Sequence, residues 1–156
     1  MGGLLDRTIR ELEGASVPDE WLAQTSRTLQ MRLAQIERSP ESAPFLLRAM
    51  IEPDARSVIG HIGFHGLPGA NALGAADALE IGYGVLPAFR RRGYAIEAVL
   101  GMIAWAERAH DIHRFLASVG PWNAASLALV RKLGFTEVAR VMDEEDGEEI
   151  VHELRR

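Results

Sequence analysis

The chain has 156 residues, 47% of them apolar and 25% charged, and a formal net charge of -5 at pH 7. That length suits a single domain over residues 1–156 with a core of its own, and the acidic balance argues against nucleic acid, which wants a basic face. Cysteine is absent, so disulfides, thiolate nucleophiles and cysteine-based zinc sites are excluded. No basic segment leads into an apolar leader, and no apolar run approaches the ~20 residues of a membrane span, so a cytoplasmic protein with no membrane partner is expected.

Leu4, Leu5, Ile9 and Leu12 recur at helical spacing, and Gly14 ends that run. A second helix is expected from Pro18 or Asp19, with Trp21, Leu22, Leu29, Leu33 and Ile36 as its apolar stripe and Ser39-Pro40 as its stop. The period then changes. Pro44 to Ile51 reads as a strand, Glu52-Pro53-Asp54 as a turn, and Val58 to His65 as a second strand. Gly66 to Asp77, rich in Gly, Ala, Asn and Pro, reads as a loop before a third strand from Leu79 to Val85. Arg90 to Ala109 reads as a turn that becomes a helix, and Arg114 to Ser118 as a short strand. Asn123 to Leu133 reads as a helix stopped by Gly134. Thr136 to Asp143 and Glu149 to Leu154 read as strands joined through Asp146-Gly147, a hairpin signal. Mixed strands and helices of this kind predict an α/β (α+β) domain layered on one sheet.

The stretch Glu80 to Glu97 carries the most chemistry. A strand ends at Val85, a loop follows, and Arg90, Arg91 and Arg92 lead into Gly93, where a helix opens. The first N–H groups of a helix lack intrahelical partners, and the helix dipole places partial positive charge beside them. Gly93 and Ala95 leave room for a phosphate to touch the backbone, and the arginines add bidentate donors. The following helix is apolar almost all round, from Ala95 to Ala106, so it is expected to be buried. A solvated basic turn is the plainer reading of three arginines taken alone. No G-K-[ST] follows and no G-x-G-x-x-G stands after a strand, so neither an NTP-hydrolysing phosphate loop nor a dinucleotide fold is supported.

Here the chain resembles the GNAT superfamily of N-acetyltransferases. The motif [QR]-x-x-G-x-[GA] stands as Arg90-Arg91-Arg92-Gly93-Tyr94-Ala95. Asn123-Ala-Ala-Ser126, opening a helix that ends in Lys132-Leu133-Gly134-Phe135, is similar to the segment found in the RimJ/RimL-type (ribosomal-protein-alanine acetyltransferase-like) branch. The resemblance runs from about Phe45 to the C-terminus. It implies the GNAT fold, a mixed and mostly antiparallel central sheet that splays, with acetyl-CoA as co-substrate lying in the gap. Backbone groups around Gly84, Val85 and Leu86 would then bond the pantetheine arm, Arg90 to Ala95 would wrap the pyrophosphate, and Asn123 would sit close to the cofactor. The acceptor would be a primary amine, a peptide N-terminus or a small molecule, attacking the thioester directly. Family habit alone adds a homodimer.

Direct transfer asks for a base to free the amine, a donor for the oxyanion and a proton for the thiolate. Glu80 is the candidate base. Strand alternation places Glu80, Gly82 and Gly84 on one face and Leu79, Ile81, Tyr83 and Val85 on the other. Two bare glycines beside a carboxylate read as an opening for a ligand, although a carboxylate at the start of a strand also reads as a solvated one. Ser126 is the candidate donor to the thiolate, with helix capping by Asn123 as the simpler role for this pair. The tyrosine that many GNAT enzymes carry four residues before the glycine of G-F is replaced here by Val130, and neither Tyr83 nor Tyr94 matches that position. This departure leaves open a domain that holds acetyl-CoA without turnover; a structural subunit is a third class. His61 and His65 fall in a strand, so no metal pair is expected, and His65, near a loop, is a candidate substrate contact. His110 and His113 sit where a helix C-terminus favours them. The acidic tip of Glu144, Glu145, Asp146, Glu148 and Glu149 reads as a solvated turn or as an attractor for a cationic acceptor. The chain begins with a helical pattern where the family's usual first strand is expected, so that strand is either absent or lies upstream of Met1.

Overall fold

Three α-helices and six strands form among the described residues, 14–156 of a computed structural model; the helix expected over Leu4–Leu12 lies outside them. Helix α1 (Asp19–Arg38) begins one residue after Pro18, whose fixed φ of -64° suits the entry to a helix, and it ends at Ser39-Pro40. The strand expected from Pro44 starts later. Pro40–Phe45 coils into a 3-10 segment with Pro44 inside it, and β1 (Arg48–Glu52) begins only where proline no longer interrupts the backbone donors. Strands β2 (Ser57–Phe64) and β3 (Ala78–Val85) follow, then helix α2 (Tyr94–His110), β4 (Arg114–Val119), α3 (Ala124–Lys132), β5 (Thr136–Asp143) and β6 (Gly147–Arg155). Strand β6 starts two residues earlier than its pattern suggests. Gly147 takes a φ of 80°, and the Asp143 carboxylate accepts bonds from the N–H groups of Glu145 and Asp146, which closes the turn tightly.

The strand order is β1-β2-β3-β4-β6-β5, and every neighbouring pair is antiparallel except β3 and β4. Those two run parallel and pair only over Ala78↔Arg114, Leu79↔Phe115 and Glu80↔Leu116. Beyond this point β3 stays with β2 as far as Val85, while β4 stays with β6 as far as Val119. The sheet therefore opens into a wedge with its apex at Glu80 and Leu116.

One face of the sheet carries the main core. Phe64, Ile81, Phe115 and Ala117 pack with Val99, Met102, Ile103 and Ala106 of α2 and with Val130 of α3. Helix α2 is not buried all round, as its composition suggests. Its buried residues form one stripe, and Leu100 and Gly101 face outward. A sheet can cover only one side of a helix. On the opposite face α1 seats Trp21 against Val58 and Leu86.

Candidate active site

The wedge opens into a cavity of about 860 Å³. Ile81, Gly82 and Tyr83 form one wall, and Ala117, Ser118 and Val119 the other. Thr28, Met31 and Arg32 of α1 cover one side, the β5–β6 hairpin another, and Asn123 and Ser126 stand at the start of α3. The mouth holds Trp122, 77% exposed, and the acidic hairpin tip with Glu149.

Main-chain direction explains what β3 offers this space. The Glu80 carbonyl accepts a bond from the His65 N–H at 2.8 Å, and the Leu86 N–H donates to the Ile59 carbonyl at 2.8 Å. Backbone groups alternate sides along a strand, so those of Glu80, Gly82, Gly84 and Leu86 are turned toward β2. Those of Tyr83 and Val85 face the gap that β4 has left, whereas the Glu80↔Leu116 pair still engages the Ile81 N–H. Of the trio Gly84, Val85 and Leu86, only Val85 presents its groups to the gap, and its carbonyl already accepts a bond from Arg90 Nε at 2.9 Å.

The glycines of β3 have a different use from the one expected. Gly82 lies opposite Gly63, and Gly84 opposite His61. A Cβ on Gly82 would stand 2.9 Å from His65 Nε2, and a Cβ on Gly84 would stand 2.6 Å from His61 Cε1. Two imidazole rings thus fill the space that the bare backbone suggests for a ligand. The reason is cross-strand pairing, which puts opposed side chains on the same face.

Glu80 is buried, its side chain 3% exposed, and it does not line the cavity. One carboxylate oxygen accepts a bond from the Ala72 N–H at 2.6 Å; the other lies 3.6 Å from His65 Nδ1. The loop carrying Ala72 is folded by Asn71, whose side-chain amide bonds the carbonyls of Ala75 and Ala78 and accepts the N–H groups of Leu73 and Ala75. His65 keeps 42% of its side chain open, toward the cavity, and its carbonyl is clamped by Arg32 and Gln35 of α1, each at 3.0 Å. Enclosure lowers the pKa of the His65 ring; the Glu80 charge opposes this and Arg32 reinforces it. Burial, then Arg32, lowers that of His61 likewise. Both rings are therefore shifted toward the neutral form.

Three further residues line this space, none of them singled out by itself in the sequence. The Ser118 hydroxyl is buried and has no hydrogen-bond partner. The same holds for the Tyr83 hydroxyl, whose pKa is raised by burial, with nearby Ser126 opposing the rise, so that it keeps its proton. Glu149, half-buried, has its carboxyl pKa pushed up by burial and then by the negative charges of Glu80, Asp143 and Asp146. The alternation of β6 could have picked Glu149 out of the acidic run, because it lies opposite Val141 rather than at the tip.

The basic turn stands outside the cavity lining. Gly93 caps α2 with a φ of 89°, offers no side chain to its free N–H groups, and has nothing within 4 Å of a Cβ position. Arg91 also adopts a positive φ, 63°. Arg90 folds back onto Val85, and the Arg92 guanidinium lies over the Phe89 ring at 5.4 Å. At α3, Asn123 caps the helix by accepting the Ser126 N–H at 3.1 Å, and Val130 is buried in the core. Among the described residues no cluster of three or more His, Asp or Glu is placed to hold a metal, and no helix is long and apolar enough to cross a membrane.

A sheet parted between two parallel strands, with an uncapped helix N-terminus after an arginine turn, is the architecture of an acyl-CoA N-acyltransferase. The chain belongs to the acetyltransferase (GNAT) domain family, whose model matches residues 7–136. It is 26% identical over 114 residues to the ribosomal protein uS5-alanine N-acetyltransferase of Escherichia coli, a match that covers 73% of this chain and 57% of that relative. The chain thus spans little more than half the length of that curated relative. A putative GNAT-family acetyltransferase from Bordetella pertussis has a TM-score of 0.66 at 22% identity, over 80% of this chain and 74% of that one. A putative acetyltransferase from Salmonella typhimurium, solved with its cofactor acetyl-CoA, has a TM-score of 0.61 at 24% identity, over 81% and 72%. Both share the fold.

Proposed function

We propose that the chain transfers an acetyl group from acetyl-CoA to a primary amine. The observation that carries this reading is the wedge itself. Tyr83 and the Val85 N–H turn main-chain groups into a gap where no strand takes them up, which suits the amides of a pantetheine arm. The residues present also fit the pyrophosphate. The α2 N-terminus keeps its first N–H groups uncapped, Gly93 leaves the approach clear, and Arg91 and Arg92 supply charge. By this reading Gly84, Val85, Leu86, Arg90, Arg91, Arg92, Gly93, Tyr94, Ala95 and Asn123 border the cofactor, with Val85 and the α2 N-terminus making the main-chain contacts.

When bound, acetyl-CoA supplies an activated acyl carbon; the chain's part is orientation and proton handling. Ser126 and Tyr83 stand together on the α3 side of the cavity and are the donors for the leaving sulfur. Tyr83 does from β3 what no side chain at Val130 can do. Glu80 at the apex is the anion that draws the amine proton inward. Asp143, Glu145, Asp146 and Glu149 line the opposite side and favour a cationic acceptor. The acceptor class is a primary amine, a peptide N-terminus or a small molecule. A thiol-release assay with acetyl-CoA, run on peptides with free α-amines and on small-molecule amines, tests the reading. Calorimetric binding of acetyl-CoA that fails in Gly93→Glu, together with thiol release on one of these panels, is expected. No binding by the unaltered protein refutes it.

A further inference from the structure

Glu80 has the charge of a base but not the access. It is buried, absent from the cavity lining, and one of its oxygens is held by Ala72. His65 has the access. Its Nδ1 faces the Glu80 carboxylate at 3.6 Å, and its Nε2 lies over Gly82, which lines the gap. We propose that His65 is the catalytic base that takes the proton from the acceptor amine, with Glu80 as the positioning residue that fixes its tautomer. The inference rests on the acetyl-transfer reading and changes which side chain touches substrate.

Three features of the chain serve this arrangement. Glycine at position 82 is the residue that lets the ring lie over β3. Arg32 and Gln35 pin the His65 carbonyl, so the ring swings only about its own side-chain bonds. The Asn71-folded loop holds Glu80 in place through Ala72. A separation of 3.6 Å is loose for a hydrogen bond, and catalytic pairs commonly tighten only when substrate is present. His61 lies on the same face, yet among the described residues no carboxylate is paired with it.

The step balances as follows. An ammonium acceptor gives one proton to His65 Nε2, and its freed lone pair forms the C–N bond to the acyl carbon. The C–S bond breaks, the second proton passes from nitrogen to sulfur by way of the Ser126 and Tyr83 hydroxyls, and the proton on His65 leaves to solvent. The charged groups acting on the ring are Glu80 from β3 and Arg32 from α1, with the His61 ring over the next same-face glycine, Gly84.

The test is nitrogen NMR of the imidazole rings in the full chain, joined to pH profiles of kcat/KM. The expected tautomer of His65 carries its proton on Nδ1. Its pKa is expected to fall in Glu80→Gln, because the carboxylate is what raises it against burial. His65→Gln is expected to lower kcat about 100-fold, a typical share for a general base, and to erase the acid limb of the profile while acetyl-CoA affinity holds. A proton on Nε2, or an acid limb unchanged in His65→Gln, overturns the assignment while leaving acetyl transfer intact. Absence of acetyl-CoA binding by the unaltered protein overturns both.

Discussion

Two glycines in neighbouring strands separate what holds the fold from what arms the site. Gly63 lies against main chain: a Cβ there would stand 2.7 Å from the carbonyl carbon and oxygen of Leu46 and 2.9 Å from Leu47 Cα. Ordinary contact begins near 3.4 Å, so Gly63→Ala must push the backbone before β1 outward by several tenths of an ångström. Overpacking of this kind costs about 2 kcal/mol, which for a domain of this size lowers Tm by about 4–8 °C. Gly82→Ala meets the Nε2 end of the His65 ring at 2.9 Å instead. That ring yields by rotation, so the stability cost is smaller, about 1 kcal/mol. Rotation also takes the ring off Glu80 and away from the gap, and a misplacement near 1 Å costs about 100-fold in rate. Calorimetric melting and the thiol-release assay, run on both variants, should therefore give opposite rankings. Gly63→Ala loses more stability, and Gly82→Ala loses more kcat per degree of Tm. Full kcat in Gly82→Ala would refute the reasoning about His65, and an unchanged Tm in Gly63→Ala would refute the packing argument.

Acidification should destabilise the fold through its histidines. His61 and His65 are held below the ordinary 6.5, so the unfolded chain binds protons first. Their contribution to stability is full above pH 6.5 and is lost as pH falls through the lower folded values; urea midpoints should fall across that window, and less so in His61→Gln. Glu80→Gln should lower the Glu149 pKa, since the Glu80 charge helps to raise it, and carboxyl-carbon NMR titration reads this directly. Asn123→Ala removes the α3 cap and should cost about 1 kcal/mol by chemical denaturation. Arg27→Ala breaks the 2.6 Å pair with Glu145, but both side chains are exposed, 78% and 63%, so Tm should move by no more than about 2 °C.

The strand and helix pattern from β2 onward was legible because each periodicity was satisfied by one layer. Where two layers compete, periodicity alone misplaces an element. The start of β1 was hidden because Pro44 carries no mark of which turn it will join, and α2 looked fully buried because composition does not show which side the sheet covers. The arginine turn and the Asn123 cap could be placed from local spacing, as both depend on residues within one turn. Glu80 was found from alternation, but its depth was not, because burial comes from a loop anchored by Asn71. His65 matters through a partner on another strand and a glycine beneath it, and register of that kind emerges only when the strands are aligned. Ser118 carries no local signal, and Tyr83 enters the sequence only as a tyrosine at the wrong position; what distinguishes both is a buried hydroxyl without a partner.

Three residue pairs join β3 to β4, whereas β2 to β3 and β4 to β6 are joined along most of their lengths. The molecule is in this sense two half-sheets sewn together by one short row of stitches and by the core behind it. Partial opening should follow that seam rather than cut across either half. A molecule that bridges the two edges adds stitches where the row stops. Amide exchange along Ile81 to Val85 and Ala117 to Val119 should then slow together, from opposite halves, when the gap is filled.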